Sequence, residues 1–410
     1  MNTIETSHDL ARALIAEDAR YREVVHDEVF IAFPQARGLF SNARATRHAD
    51  LVPALTWALT NPPALVDEAV AELGRDHRRH GFPTSLYDVF AAALIKGLRI
   101  FNLSFMLREH TAARIRQLCT IMKEAADAAD LAGVPPAHSA RVMEVKRPNR
   151  NTAIVRVETP FPIDFAPGQA LPVTTTYLPG TWRLLTPAVL ADESGQLIFH
   201  VYNAGDASTM LVRARPGDTW TLGNPRGEFP ASDPSLPRAP QEVVIAYGTG
   251  WAAVRAFLLA KVNQPKSRDS ASVICHASSP GAHYDLQFQV NLRKLLPNVQ
   301  FRYTVENSTD PHIFGAAPVS AEIHATTLAL AEVTDNPARL VLEELLANPT
   351  AYDRCVLVGD ANQVLEGAGM LNIGLARAGI VDCVIEPHPW DSGALTRELK
   401  YRQGFSSLNN

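Results

Sequence analysis

Two changes of hydrophobic period divide the chain. Up to about residue 134 apolar positions recur at helical spacing: Leu86, Val89, Phe90, Ala93, Leu94, Gly97 and Leu98 follow the i, i+3, i+4, i+7 series. Pro83, with Thr84 or Ser85 as cap, gives that helix its start, and Gly133-Val134-Pro135-Pro136 closes the helical region. From about 138 to 230 short β-rich runs take over, at 142–145, 154–157, 197–202 and 219–222. Pro167-Gly168 and Pro216-Gly217-Asp218 punctuate them, so a small antiparallel barrel is expected. The segment 231–241, rich in Pro, Ser and Ala, reads as a linker. Beyond it, apolar runs at 243–246, 273–275, 301–305, 355–358 and 383–385 alternate with helical patterns at 251–262, 284–296, 338–347 and 363–378. Such alternation is the signature of a parallel, doubly wound α/β sheet. The expected organisation is therefore an all-α domain over 1–137, a β-barrel over 138–238, and an α/β domain with a tail over 239–410.

Composition agrees with several globular domains: 410 residues, 46% apolar, 20% charged. A net charge of -5 gives no electrostatic reason to expect nucleic acid or an anionic membrane as partner. The most apolar stretch, 89–106, is interrupted by Lys96 and Arg99 and reads as a core helix, not a membrane span. No basic-then-apolar leader opens the chain, and a cytoplasmic location is the default expectation. Cys119, Cys275, Cys355 and Cys383 form no CxxC pair, so they read as buried structural thiols, not zinc or iron–sulfur ligands.

Four groups of residues carry candidate chemistry. Gly248, Thr249 and Gly250 follow an apolar run and precede a helix, where backbone amides approach a pyrophosphate; any tight strand-to-helix turn also favours glycine. Arg183, on a barrel run with Leu185 and Thr186, matches a diphosphate bidentately or is an ordinary strand arginine. Gly205, Ala207 and Ser208 open a short helix and offer a second set of amides, or only a cap. In the helical region Val66, Val70 and Leu73 form an inward stripe that His77 continues. An imidazole on an apolar face needs a partner; a satisfied core histidine is the common case and a metal the rarer one, with His80 as a more exposed rival.

This order of parts resembles the flavohaemoglobin family, over about residues 20 to 390. The stretch from Phe33-Pro34 to Phe40 is similar to the family's run ending in the phenylalanine that packs on haem, and His77 stands ten residues before Tyr87, the spacing of its proximal ligand and supporting tyrosine. Pro167-Gly168-Gln169, 205–209, 223–229, Gly248-Thr249-Gly250, His276-Ala277 and Val358-Gly359-Asp360 fall in the family's order. The resemblance implies a globin-like haem domain, an FAD-binding barrel and a ferredoxin-reductase-like NAD(P) domain. It implies haem b, FAD and NADH or NADPH as cofactors, and oxygen and nitric oxide as small-molecule partners; no protein partner is evident. His77 becomes the iron ligand, Tyr87 its support, and His26 and Phe40 the distal lining, His26 standing where the family carries tyrosine. Arg183, Thr186 and Ser208 would hold FAD, and Leu185 replaces the family's flavin-stacking tyrosine. Glu386 and His388 align with the residues that shield the flavin, with Trp390 as a further candidate, and Glu124, Asp127 and Asp130 are candidates for the acid behind Tyr87. The implied reaction is NAD(P)H-driven, oxygen-dependent oxidation of nitric oxide to nitrate. Its rivals are a haem-based gas or redox sensor with a weak reductase, and a flavin reductase with a haem-free helical interaction domain.

Overall fold

The computed structural model describes residues 3–39, 48, 50–178, 181–227, 240–263, 271–309 and 331–390, with the side chains of Asp206, Pro389 and Trp390 outside the description. The chain divides into two compact units, one formed by Met1–Ala137 and one by His138–Ser392.

The first unit is all helical: α1 Ser7–Ala16, α2 Asp18–Ala32, α3 Leu51–Thr60, α4 Pro63–His77, α5 Leu86–Gly97 and α6 Phe105–Leu131. Its main core gathers Leu10, Leu14, Tyr21, Val25, Val29, Phe30, Leu86, Tyr87, Phe90, Leu94 and Ile115. Thr6 and Ser104 cap α1 and α6 with their hydroxyls. Tyr21 is buried and donates its hydroxyl to Leu94 O at 2.8 Å, fastening α2 to α5. Among the described residues no helix is long and apolar enough to cross a membrane.

The second unit holds two sheets. The first has strands β1 His138–Lys146, β2 Thr152–Glu158, β3 Leu171–Thr175, β4 Arg183–Leu185, β5 Gln196–Tyr202 and β6 Thr219–Leu222 in the order β4-β3-β6-β1-β2-β5, every pair antiparallel. Just past β4 the chain turns onto β5, with a bridge from Pro187 to Phe199 and a bond from Ala188 N to Ile198 O at 2.7 Å. Those contacts bring the two ends of the order together into a nearly closed barrel, whose inside is filled by Val155, Val157, Leu171, Phe199, Trp220 and Leu222. The short helix α7 Asp206–Val212 sends Leu211 and Val212 into the same core.

The second sheet is wholly parallel: β7 Glu242–Tyr247, β8 Ala271–Ala277, β9 Val299–Val305, β10 Glu332–Val333, β11 Arg354–Asp360 and β12 Val384–Trp390, in the order β10-β9-β8-β7-β11-β12. Helices α8 Trp251–Val262, α9 Leu286–Leu295, α10 Ala338–Ala347 and α11 Ala361–Ala378 connect these strands. The order reverses between β7 and β11, and open α/β sheets bind ligands at the carboxyl ends of strands at such a point.

Candidate functional site

In the helical unit, α4 starts with proline in its first turn and ends in a 3₁₀ turn stopped by Gly81 at φ 72°. Its Gly74 faces α6 so closely that a Cβ would lie 2.3 Å from Met122 O. Only glycine lets the two backbones meet there. The Gly74 carbonyl also accepts from the Tyr87 hydroxyl at 3.3 Å, and His77 Nδ1 lies 3.0 Å from the same hydroxyl. A phenol has one proton; with it directed to Gly74 O, the hydroxyl oxygen accepts from His77 Nδ1–H. That tautomer places the lone pair on Nε2, the arrangement a metal-ligating imidazole requires. Phe82 flanks His77 and Tyr87, with ring centroids 5.2 and 4.8 Å away.

A pair of imidazoles belongs to the same unit. His26 is buried in mid-α2, stacked on Phe30 at 5.8 Å, and His48 lies 5.5 Å from His26 and 5.7 Å from Phe90. Phe90 in turn meets Phe82 at 5.8 Å, so a run of rings links His77 to His48. Burial pushes the His48 imidazole down to about 3, with His26, His77, Arg22 and His80 adding to the effect, so it stays neutral. His77, engaged at Nδ1 by the Tyr87 hydroxyl, and the rings of His26, His48, Phe82 and Phe90 around it are a donor and a lining that fit haem iron. Among the described residues there is no cluster of three or more His, Cys, Asp or Glu for a bare metal ion.

The other expected residues of this unit fall as follows. His80 is exposed, and Phe40 lies outside the described residues. Of the acids, Asp130 pairs with Arg78 at 2.6 Å, Asp127 acts on Tyr87 electrostatically, and Glu124 is exposed. His48 escaped the sequence reading, because no apolar period around it tied it to a helix.

In the barrel, Arg183 opens β4 and donates to Trp182 O at 3.0 Å, and Thr186 is buried just beyond that strand. Leu185 is partly buried and packs against the barrel core. Gly205, at φ 93°, has open space where a Cβ would stand, while Ala207 is buried. The Ser208 hydroxyl accepts from Ala204 N–H at 2.8 Å and donates to Gly205 O at 2.6 Å. It holds the loop, leaving backbone amides as the groups suited to a diphosphate.

At the carboxyl edge of the parallel sheet the glycines divide the work. A Cβ on Gly250 would lie 2.2 Å from Val358 O, and one on Gly359 2.5 Å from Tyr247 O, so β7 and β11 meet at a spacing only glycine allows. Gly248, at φ 52°, faces open space. Barrel strand β5 lies against this Gly248–Gly250 turn. Next along the edge, His276 Nδ1 is 2.9 Å from Thr304 Oγ1, and its Nε2 is 3.7 Å from Glu306 Oε1. Gln363 donates to the same carboxylate at 3.0 Å, and burial pushes the His276 imidazole down to about 4. Glu386 takes Arg354 through two bonds of 2.8 and 2.7 Å, and Arg354 also meets buried Glu242 at 3.1 Å. His388, nearer the strand end, is held neutral by burial with Arg354 adding to it, its imidazole pushed down to about 4. The Trp390 side chain lies outside the description.

Residues 139–230 match the oxidoreductase FAD-binding domain family. No curated protein matches the chain at the sequence level. Among solved structures, the flavohaemoglobin of Malassezia yamatoensis, determined with bound FAD and haem, superposes with a TM-score of 0.65 at 16% identity, over 93% of this chain and 98% of that one. A cytochrome P450 reductase of Amycolatopsis (TM-score 0.49, 20% identity, 62% of this chain and 70% of that one) also matches. So does the FAD/NAD-binding domain of the nitric oxide dioxygenase of Vibrio cholerae O1 biovar El Tor (0.44, 15%, 62% and 100%). At such identities the likeness concerns the fold. Over nearly its whole length, this chain carries the flavohaemoglobin fold, with globin-like helices followed by the barrel and parallel sheet of FAD/NAD oxidoreductases.

Proposed function

We propose that the protein is an NADH oxidoreductase of the flavohaemoprotein type that oxidises nitric oxide to nitrate with oxygen. The observation that carries this reading is the His77–Tyr87–Gly74 bond sequence, which sets an imidazole as a metal donor in a chain that also bears an FAD-type barrel. When bound, FAD takes hydride from the nicotinamide and passes electrons on singly, and haem supplies the iron chemistry of oxygen and nitric oxide. The rest is what these side chains do.

Gly248 leaves its backbone open to a pyrophosphate at the sheet's switch point, while Gly250 keeps β7 against β11. Glu306, at the end of β9, supplies a carboxylate for ribose hydroxyls and opposes a 2′-phosphate. From Tyr303 to Ala338 the sequence has no Lys or Arg to neutralise such a phosphate, which supports NADH over NADPH. Arg183 and the backbone amides of residues 206 and 207 at the start of α7 suit the FAD diphosphate, with β5 bringing the barrel to the dinucleotide turn. In the helical unit His77 would hold the iron, Tyr87 would fix its orientation, and His26 would line the opposite face. All four cysteines are buried and free, as suits a reducing cytoplasm, and burial pushes Cys119 and Cys275 up to about 12.

The test is nitric oxide consumption in the presence of oxygen and NADH by the cofactor-loaded protein and its His77→Ala variant. Loss of both haem and nitric oxide consumption, with NADH-driven flavin reduction retained, supports the reading. Undiminished consumption in the variant contradicts it. Leu185, which offers no aromatic ring to a flavin, favours a second reading, a haem-based sensor with a slow reductase, in which flavin reduction by NADH would lag far behind haem ligand binding.

A further inference from the structure

We propose that the helical unit carries a binding site, separate from that of His77, for a small organic anion: a carboxylate on a compact apolar body. Helices α5 and α6 are joined by the short turn at 98–104 and enclose between them an open cavity of about 600 Å³. Pockets that hold small ligands are of this size. Neither His77 nor Tyr87 is part of its lining. The floor is written at helical spacing, with Ala91 and Ile95 on α5 and Ala112 and Cys119 on α6. The two on α6 stand seven residues apart, two turns or about 10 Å along the helix. Alanine at 91, 92 and 112 withholds the side-chain volume that would otherwise fill the space between the helices. Ala91, Ala112 and Cys119 are buried, and burial pushes the Cys119 thiol up to about 12, so this floor is uncharged.

The rim is cationic. Lys96, Arg99, Arg108 and Arg116 line the cavity, against the acids Asp88 and Glu109. Two of these charges are already matched outside it: Lys96 pairs with Glu28 at 2.5 Å, and Asp88 with Lys123 at 2.7 Å. Three guanidinium groups remain against the one carboxylate of Glu109. Arg108 donates to Phe101 O at 3.3 Å, which fixes its place at the rim. Arg99 and Arg116 are exposed and have no ion-pair or hydrogen-bond partner among the described residues. Arg22, Arg78 and Arg114 of the same unit, by contrast, each meet an acid. Guanidinium matches a carboxylate with two parallel bonds, and the apolar floor gains from a body that covers it. A bare inorganic anion would leave the floor uncovered, and an uncharged apolar molecule would leave the guanidinium groups unmet.

The experiment is a calorimetric titration of the full chain, with FAD and hemin added to keep the titrant out of their sites. The titrant is 2-naphthoate, with 2-naphthamide as its uncharged counterpart. Saturable binding of naphthoate is expected, with naphthamide at least about tenfold weaker. Arg99→Glu and Arg116→Glu, both at exposed positions, are each expected to weaken naphthoate at least about tenfold with the melting temperature unchanged. Ala92→Trp, which fills the cavity from an exposed position, is expected to abolish binding. Arg20→Glu on α2, outside the cavity, is expected to bind as the wild type does. No binding of naphthoate, or equal binding of naphthamide, overturns the proposal. Naphthoate binding that survives Arg99→Glu, Arg116→Glu and Ala92→Trp overturns it as well, since the anion would then sit elsewhere.

Discussion

Gly248 and Gly250 stand two residues apart, and the backbone asks different things of them. At Gly250 a methyl group would meet the Val358 carbonyl at 2.2 Å, and neither backbone can yield without parting β7 from β11. Gly250→Ala should therefore cost about 3 kcal/mol or more, seen as a lower denaturant midpoint of the reductase unit. Gly248→Ala meets open space and costs only the left-handed backbone penalty of about 1–2 kcal/mol, but it should raise KM for NADH several-fold. Equal stability loss in the two variants would refute this division. At the same edge, Glu306→Arg removes the carboxylate bound by Gln363 and supplies a cation for a 2′-phosphate. The ratio of kcat/KM for NADPH over NADH should rise at least about tenfold; an unchanged ratio would place the adenosine ribose elsewhere. The glycine motif was readable in the sequence, but which glycine serves contact and which serves access depended on the neighbouring strand. His48 was not readable, since its meaning lies in rings contributed by α2 and α5.

Elements of the parallel sheet announced themselves because strands covered on both faces are written as continuous apolar runs. The runs at 243–246, 273–275, 301–305 and 355–358 fall inside β7, β8, β9 and β11. β12 extends well past its apolar run at 383–385, through Pro387 and Pro389, which an edge strand tolerates. β3 carried no alternation of its own to be read, with four of its five residues buried. The join between barrel and parallel sheet was equally silent, being built from polar groups distant in sequence. There β5 buries His200, whose Nδ1 is 3.0 Å from the Tyr284 hydroxyl, while Arg255 lies over Phe288 at 3.8 Å and pairs with Asp285 at 3.5 Å. Trp251 also donates to Asp285, at 2.9 Å. Tyr284→Phe leaves a buried imidazole nitrogen unpaired and should cost about 1–3 kcal/mol, with slower flavin reduction by NADH. Reduction at the wild-type rate in a destabilised variant would show that this join serves stability alone.

For the molecule as a whole, the buried histidines of the second unit tie stability to pH. Burial depresses His200, His276 and His388, the last two to about 4. Above the unfolded value of about 6.5 both states are neutral at these sites and nothing is gained or lost. As pH falls from there toward 4, the unfolded chain takes up protons that the folded one refuses, so stability declines. Each site contributes at most about 1.4 kcal/mol per pH unit in that window. His276→Gln should flatten the slope of unfolding free energy between pH 6.5 and 4; an unaltered slope would assign the acid sensitivity to other groups. The fold class was legible from the changes of hydrophobic period, since each layer needs its own spacing of apolar residues. The cofactor chemistry was legible only in part, because a histidine on an apolar face becomes a metal donor through the hydroxyl that fixes its tautomer.

The proposed function requires that one chain take electrons from NADH and deliver them to haem held by His77. The direct measurement is the anaerobic absorbance of the FAD- and haem-loaded protein before and after NADH. Bleaching of the flavin followed by reduction of the haem is expected, with His77→Ala keeping the first change and losing the second. Haem that binds but stays ferric while the flavin is fully reduced would contradict it.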